Sequence, residues 1–421
     1  MRQHALAAIN TSVTPNAPAR EFSIARQPIL DVDMRVVGYE LLFRAPGART
    51  ANVIDAEAAT SNVIVDSFME IGLDALVGDH MAYINVSRDF LMNVRPLPLP
   101  PGRVVLELLE NQAIDEDLLA VLRELVSDGF TMALDDFRYT PECEPLLELA
   151  QIVKLDVLAY EEEELLEQVA RLRRRRPRLS LLAEKVELRA EFERCRVLGF
   201  DSFQGYFFAR PSLTHGRGVP TQCLGALGAV SALNAIADFD GLEEIITRDV
   251  GLSLRLLRYA NSAYVFLPRR VGSVREALVM LGARQVRRWA TVVVLAGTSD
   301  APHQLLVTGL VRARMCQLLC GASEDQVADR YFTVGLFSVV DALVDAPMGD
   351  VLATLPFSDD VVSALEERSG PPGELLDAVL AYERGDFEAV IDSGLALEDM
   401  SFEAAYRDAV GWADSAARML G

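Results

Sequence analysis

The chain has 421 residues, 51% of them hydrophobic, a formal net charge of −22 and five scattered cysteines. That length holds two or three domains with cores of their own, and the acidic balance argues against nonspecific nucleic-acid binding as the main activity. Without a CxxC pair, structural zinc and a disulfide scaffold are excluded and a reducing cytoplasm is expected.

Residues 1–20 read as a flexible polar leader, and MRQHALAAIN lacks the apolar core of a secretory signal. No apolar run approaches the roughly 18–20 residues of a membrane-spanning helix. Across residues 21–212 eight strand-like runs follow: FSIARQPI, VVGYELLFR, MAYINVS, VVLELLE, TMALDDF, IVKLDV, SLLAEKVE and FDSFQGYFF. ILDVDMR places turn residues between the first two and predicts a hairpin. Helical patterns such as Ala56–Leu73, Asp115–Asp128 and Glu161–Arg175 fill the later intervals. Strand and helix alternating at this spacing predict βαβ units on a parallel sheet. Eight strands fit an α/β barrel of the TIM-like (β/α)8 type. An open doubly wound sheet competes, but no glycine-rich phosphate-binding motif follows any strand.

Polar residues recur at matching places on these strands. Glu40 interrupts the second, Asn85 ends the third, and Glu107 sits late in the fourth with Glu110 beyond it. Asp135 and Asp136 close the fifth, Lys154 and Asp156 lie late in the sixth, Glu184 and Glu187 close the seventh, and Gln204 falls in the eighth. A helix cap or a rim salt bridge explains any one of them. A full set is another matter, because the C-terminal rim is where such barrels do chemistry. Like charges in one mouth repel unless cations join them, and oxygen donors without Cys or His select Mg²⁺ or Mn²⁺. Two such ions suit phosphodiester hydrolysis. Lys154 has two readings: it orients or deprotonates water, or it pairs with Asp156 or a neighbouring acid.

In this order and spacing, the residues from about Phe22 to Pro211 resemble the EAL domains that hydrolyse the bacterial second messenger cyclic di-GMP. YELLFR stands where that family has its EAL-x-R signature, with Leu41 replacing Ala. YINVS, LELLE, LDDF, KLD, AEKVE and FQGYFFARP resemble the remaining motifs. The resemblance implies that Glu40, Asn85, Glu107 and Asp135 bind a first Mg²⁺ or Mn²⁺ ion, with Asp136 and Asp156 towards a second. By the same resemblance Lys154 helps activate water, Glu184 and Glu187 support metal or loop, and Gln204 touches metal-bound water. Gln27 and Arg44 would face the nucleotide. Barrels of this kind often pair, so a homodimer is a candidate assembly.

Two departures bear on activity. After LDDF the chain reads RYTPECEPLL, where active members carry a flexible glycine-rich loop. Proline fixes φ and removes donors, and without glycine left-handed conformations become costly. AEKVE places Lys185 where the family has glycine. These changes resemble a divergent subgroup in which a degenerate EAL-like domain precedes an HDOD domain.

After a linker at residues 213–221 the periodicity turns helical, and residues 222–421 read as an all-α domain with a helical extension. Leu252–Trp289 resembles the HDOD family, an HD-hydrolase-like fold lacking the catalytic residues. The composition agrees, since after Pro220 the sole histidine is His303, read as a loop residue, where a metal hydrolase needs several. A protein partner is the expected ligand of this domain. Arg269, Arg270, Arg275, Arg284, Arg287 and Arg288 read first as a solvated face and second as a partner or nucleotide patch. Arg171–Arg178 after Glu161–Glu164 reads as a solvated helix with i,i+4 pairs.

The expectation from all of this is a cytoplasmic bacterial signalling protein, away from membranes, whose barrel binds cyclic di-GMP with weak or absent hydrolysis. An active phosphodiesterase regulated by the helical domain is the first alternative, and a pure protein scaffold is the second.

Overall fold

β1 (Ser23–Asp31) and β2 (Val36–Arg44) pair antiparallel through a turn built by its own sequence. The Asp31 carboxylate accepts from the backbone N–H of Asp33 and of Arg35, each at 2.9 Å, which closes an Asx-type turn. The computed structural model describes residues 23–44, 72–109, 114–207, 221–235, 239–261, 269–297, 302–321, 325–395 and 400–420. The expected leader, nearly all of the helix read at Ala56–Leu73, Glu110 and nearly all of the linker lie outside the described residues.

β3 (Met81–Val86), β4 (Val104–Leu108), β5 (Thr131–Leu134), β6 (Ile152–Asp156), β7 (Ser180–Glu184) and β8 (Ser202–Gln204) follow in chain order, and β8 closes on β1. β2 to β8 are parallel neighbours, whereas β1 runs antiparallel to both β2 and β8. The expected barrel is therefore present with one reversed strand, because a short hairpin joins only antiparallel strands. α1 (Leu73–Val77), α2 (Arg88–Asn93), α3 (Glu116–Ser127), α4 (Glu144–Leu149), α5 (Glu162–Arg175) and α6 (Arg189–Leu198) accompany the strands. Asp115 caps α3, its carboxylate accepting from Leu118 N–H at 2.9 Å.

A hairpin contributes no crossover helix, so the outer face of β1 needs another cover. The second half of the chain supplies it. It comprises α7 (Thr221–Ala235), α8 (Phe239–Arg248), α9 (Val250–Ala260), α10 (Val274–Leu281), α11 (Ala283–Ala296), α12 (His303–Leu319) and α13 (Asp325–Phe337). After these come α14 (Val340–Val344), α15 (Met348–Leu352), α16 (Asp359–Glu366), α17 (Gly370–Glu383), α18 (Phe387–Asp392) and α19 (Phe402–Leu420). His303 opens α12 rather than lying in a loop, because Pro302 caps the helix and its carbonyl accepts from Leu305 N–H. None of the described helices is long and apolar enough to cross a membrane.

α17 and α19 grip β1, and α12 holds β2. Tyr382 Oη donates to Ile24 O at 3.0 Å, Tyr406 Oη accepts from Arg26 N–H at 3.0 Å, and Tyr39 Oη donates to Gln304 at 3.2 Å. Arg26, 5% exposed, forks onto both Asp414 oxygens at 2.8 and 3.1 Å. One apolar cluster accordingly runs from the barrel's helical coat into the helices after His303, while a separate smaller core holds α8 to α11 together through Leu242, Leu256, Leu278 and Val286.

The arginine runs are tied into the fold. Arg173 bonds Asp201 at 2.7 Å and Arg175 bonds Glu144 at 2.9 Å, so these partners of α5 lie far along the chain rather than one turn away. In the helical unit Arg275 pairs with Asp240 and Glu243, Arg269 with Glu276, and Arg284 and Arg288 with Asp329.

Candidate functional site

Side chains alternate along a strand, so residues two apart share a face. Inside the barrel Ile29, Tyr83, Val105, Ala133, Ile152 and Leu182 form an apolar plug. Two positions further along their strands stand Asn85, Glu107, Asp135, Lys154 and Glu184. The polar ring is thus the next inward layer above the plug, nearer the C-terminal rim. Gly38 makes room for the plug beneath, since a Cβ there would meet the Tyr83 ring at 2.6 Å.

Lys154 is the centre of the ring. Its Nζ lies 2.8 Å from Glu107, 2.9 Å from Asp135, 2.9 Å from Glu184 and 3.4 Å from Glu40, with the lysine side chain 0% exposed. Burial disfavours the ammonium, but Glu107, Glu40, Glu184 and Asp135 outweigh it and hold Lys154 protonated well above the ordinary lysine range. The pairing reading of Lys154 is realised, with four acids that do not include Asp156. The carboxyls diverge in response. Burial raises Glu107 well above the usual carboxylate value, and burial pushes Glu184 up to about 8. Glu40 goes the other way: despite burial, Lys154 and hydrogen bonds from Gln204 and Asn85 hold it low. Asn85 Nδ2 donates to Glu40 Oε1 at 2.9 Å, while Gln204 Nε2 donates to Glu40 Oε2 at 2.6 Å and to Gln27 Oε1 at 2.8 Å.

A second, outer cluster sits beside the first. Lys185 Nζ is 2.7 Å from Asp156 and 3.7 Å from Asp136, with the lysine side chain 55% exposed. Asp136 and Lys185 both hold left-handed backbone, at φ 44° and 55°, a conformation that costs a side-chain-bearing residue about 1–2 kcal/mol. The loop after β5 is short and anchored. Arg138 donates to Ala159 O at 2.7 Å and stacks over Tyr160, whose hydroxyl donates to Phe137 O at 2.8 Å.

The structure thus gathers Glu40, Asn85, Glu107, Asp135, Lys154, Glu184 and Gln204, with Gln27 at their edge. Asp136 and Asp156 stand apart around Lys185. Glu187 is exposed past β7, its backbone N–H donating to Glu191 at 2.8 Å. Arg44 ends β2, and its side chain lies outside the described residues. The partnership of Lys185 with two aspartates has no counterpart among the sequence expectations. Its signal was present as a lysine where the resembled family has glycine, but only the folded chain joins the ends of β6 and β7.

Asn85 Oδ1, Gln204 Oε1, Glu107 Oε2 and Glu184 Oε2 are buried oxygens without a hydrogen-bond partner. Among the described residues no three Asp, Glu, His or Cys groups surround an open ion position; the acids converge on an ammonium. An all-oxygen set with orphaned lone pairs nevertheless fits a hard divalent cation. Such an ion would compete with Lys154 for the same carboxylates.

Fold and rim together define a class: a closed α/β barrel with one reversed strand, an acidic oxygen-donor mouth and a helical unit clamped to its hairpin. The EAL domain family matches residues 84–211 and the HDOD domain family matches residues 232–348. A Vibrio cholerae protein named cyclic di-GMP phosphodiesterase CdgJ is 35% identical over 389 residues, covering 90% of this chain and 90% of that protein. The uncharacterized protein YuxH of Bacillus subtilis is 28% identical over 406 residues, 92% of this chain and 97% of its own. A Klebsiella pneumoniae BlrP1 complex with manganese and cyclic di-GMP is 21% identical with a TM-score of 0.38, covering 46% of this chain and 56% of that one. The chain belongs to the family of proteins in which an EAL domain precedes an HDOD domain.

Proposed function

We propose that the barrel binds cyclic di-GMP with a divalent cation and passes its occupancy to the helical unit, with weak or absent hydrolysis, as a cytoplasmic signalling protein. The observation that carries this reading is the ring of buried oxygen donors with orphaned acceptors at Asn85, Gln204, Glu107 and Glu184. Glu40, Asn85, Glu107 and Asp135 would hold one Mg²⁺ or Mn²⁺ ion, and Asp136 and Asp156 are the acids assigned towards a second. When bound, the cation neutralises the acids and polarises a phosphodiester oxygen.

The chain's own groups have separate tasks. Lys154 is a fixed positive charge under the mouth; held protonated, it orients acceptors rather than taking a proton. Glu184, with its carboxyl pushed up to about 8 by burial, holds a proton at neutral pH. Gln204 and Gln27 form the polar edge that meets the nucleotide. Lys185 already neutralises Asp156 and faces Asp136, which weakens that pair as a second cation site and supports slow hydrolysis. Transmission has a route: Glu40 bonds Gln204, Gln204 bonds Gln27, and the adjoining Arg26 is gripped by Asp414 of α19.

A second reading, an active phosphodiesterase regulated by the helical unit, is favoured by 35% identity across 90% of a protein of that name. Incubation with cyclic di-GMP and Mn²⁺ or Mg²⁺, with Glu40→Ala as control, separates them. Nucleotide binding without linear product supports the sensor. Linear dinucleotide that disappears in the control establishes the enzyme, and neither binding nor turnover leaves a scaffold.

A further inference from the structure

We propose that the helical unit carries a second ligand site, for a single-ring aromatic carboxylate, in the cavity between its two lobes. The site is independent of the barrel reading. Tyr259, Gln285 and Trp289 line it from the lobe with its own small core, and Phe332, Arg314 and Trp412 from the lobe continuous with the barrel. Ligand sites favour such junctions between packed units.

Size, shape and charge select the ligand. The cavity holds about 130 Å³, close to the roughly 150 Å³ that accommodates a benzene ring in an engineered protein cavity. Its walls are flat and aromatic. Tyr259 and Trp289 stack at 5.8 Å with an interplanar angle of 19°, and Phe332 meets Trp412 edge-on at 6.0 Å. A planar ring presents matching faces to such walls.

The polar lining is cationic and amidic. Arg288 lies over the Phe332 ring at 4.9 Å. Arg314 donates Nε–H to Asp408 at 2.8 Å and an Nη1–H to Gln317 at 3.1 Å. A guanidinium carries five N–H donors, so donors remain at Arg314 for a carboxylate, its geometric match. A packing defect would be lined by apolar side chains alone; this cavity also has Gln285, Gln317 and two arginines in its lining. The helix that supplies Trp412 also supplies Asp414 to Arg26 of β1, so occupancy of the cavity bears on the element that grips the barrel.

The test uses a property of the sequence. Trp289 and Trp412 are the two tryptophans of the whole chain, and both line this cavity, so tryptophan emission responds to its occupancy. The full-length protein is titrated with benzoate, benzylamine, cyclohexanecarboxylate and cyclic di-GMP. We expect a saturable emission change with benzoate at least ten-fold tighter than with benzylamine or cyclohexanecarboxylate. Arg314→Met should weaken it ten-fold or more, and Ala416→Phe, which fills the cavity without removing a charge, should abolish it. Glu40→Ala should leave it intact, so failure of the barrel reading and failure of this one are separable. Equal response to all three small probes, no saturable change with benzoate, unaltered binding in both cavity variants, or a change with cyclic di-GMP alone would each overturn the assignment.

Discussion

Two lysines hold the rim of this barrel together, and burial makes them different objects. Lys154 has no exposed surface and faces four acids; Lys185 is 55% exposed and faces two. In the interior, four acids stripped of water sit around one point, and those that stay ionised need a countercharge, so the ammonium is structural. At the surface, water screens Asp136 and Asp156, and the ion pair is worth about 0–1 kcal/mol. The same charge pairing is thus indispensable in one place and nearly free to change in the other.

The largest effect is expected from the buried partner. Lys154→Met leaves Glu40, Glu107, Asp135 and Glu184 facing one another, and should cost about 3–5 kcal/mol in urea unfolding with chelator present. Mn²⁺ should return much of that loss. A cost below about 1 kcal/mol, or no rescue by Mn²⁺, would break the contrast and with it the oxygen-cage reading.

An intermediate case lies at the clamp. Arg26 is 5% exposed and Asp414 is 28% exposed, so Asp414→Ala leaves a buried guanidinium short of its bidentate acceptor. About 1.5–3 kcal/mol is expected, read by the same unfolding experiment, together with faster amide exchange in β1. Unchanged exchange there would mean that α19 does not hold the hairpin.

Gly38→Ala probes the layer beneath the ring. Its Cβ would lie 2.6 Å from Tyr83, and overpacking of this kind costs about 1–3 kcal/mol. The loss should fall towards zero when Tyr83→Leu accompanies it.

The smallest stability change belongs to the exposed lysine. Lys185→Gly relieves a left-handed backbone at φ 55° while removing a screened pair, so the two terms offset to within about 1 kcal/mol. Its effect should appear in cation stoichiometry instead: equilibrium dialysis should rise from one Mn²⁺ per chain towards two. An unchanged count would show that Lys185 does not compete with a cation at Asp136 and Asp156.

Much of the ring was legible because period-two alternation puts Asn85, Glu107, Asp135, Lys154 and Glu184 on the inward face near the ends of their strands, and that alternation survives in the linear sequence. The pairing of Lys154 with neighbouring acids was legible only as one of two readings, since residues on different strands have no order across a barrel until it closes. The partners of Arg173 and Arg175 were misplaced for a related reason: helix spacing suggests neighbours one turn away, whereas Asp201 and Glu144 reach α5 from other βα units.

Alternation of apolar and polar residues, turn chemistry at Asp31 and the switch from strand to helix spacing after Pro220 are local properties, and by themselves they determined the barrel, the helical unit and the ring of oxygen donors. The clamp of α17 and α19 on β1, the seam cavity between two cores and the capture of Asp156 by Lys185 were decided by the tertiary structure alone. Each joins side chains far apart in the chain, and an ion pair or a stacked ring gains its energy from burial and proximity, which no spacing along the sequence encodes.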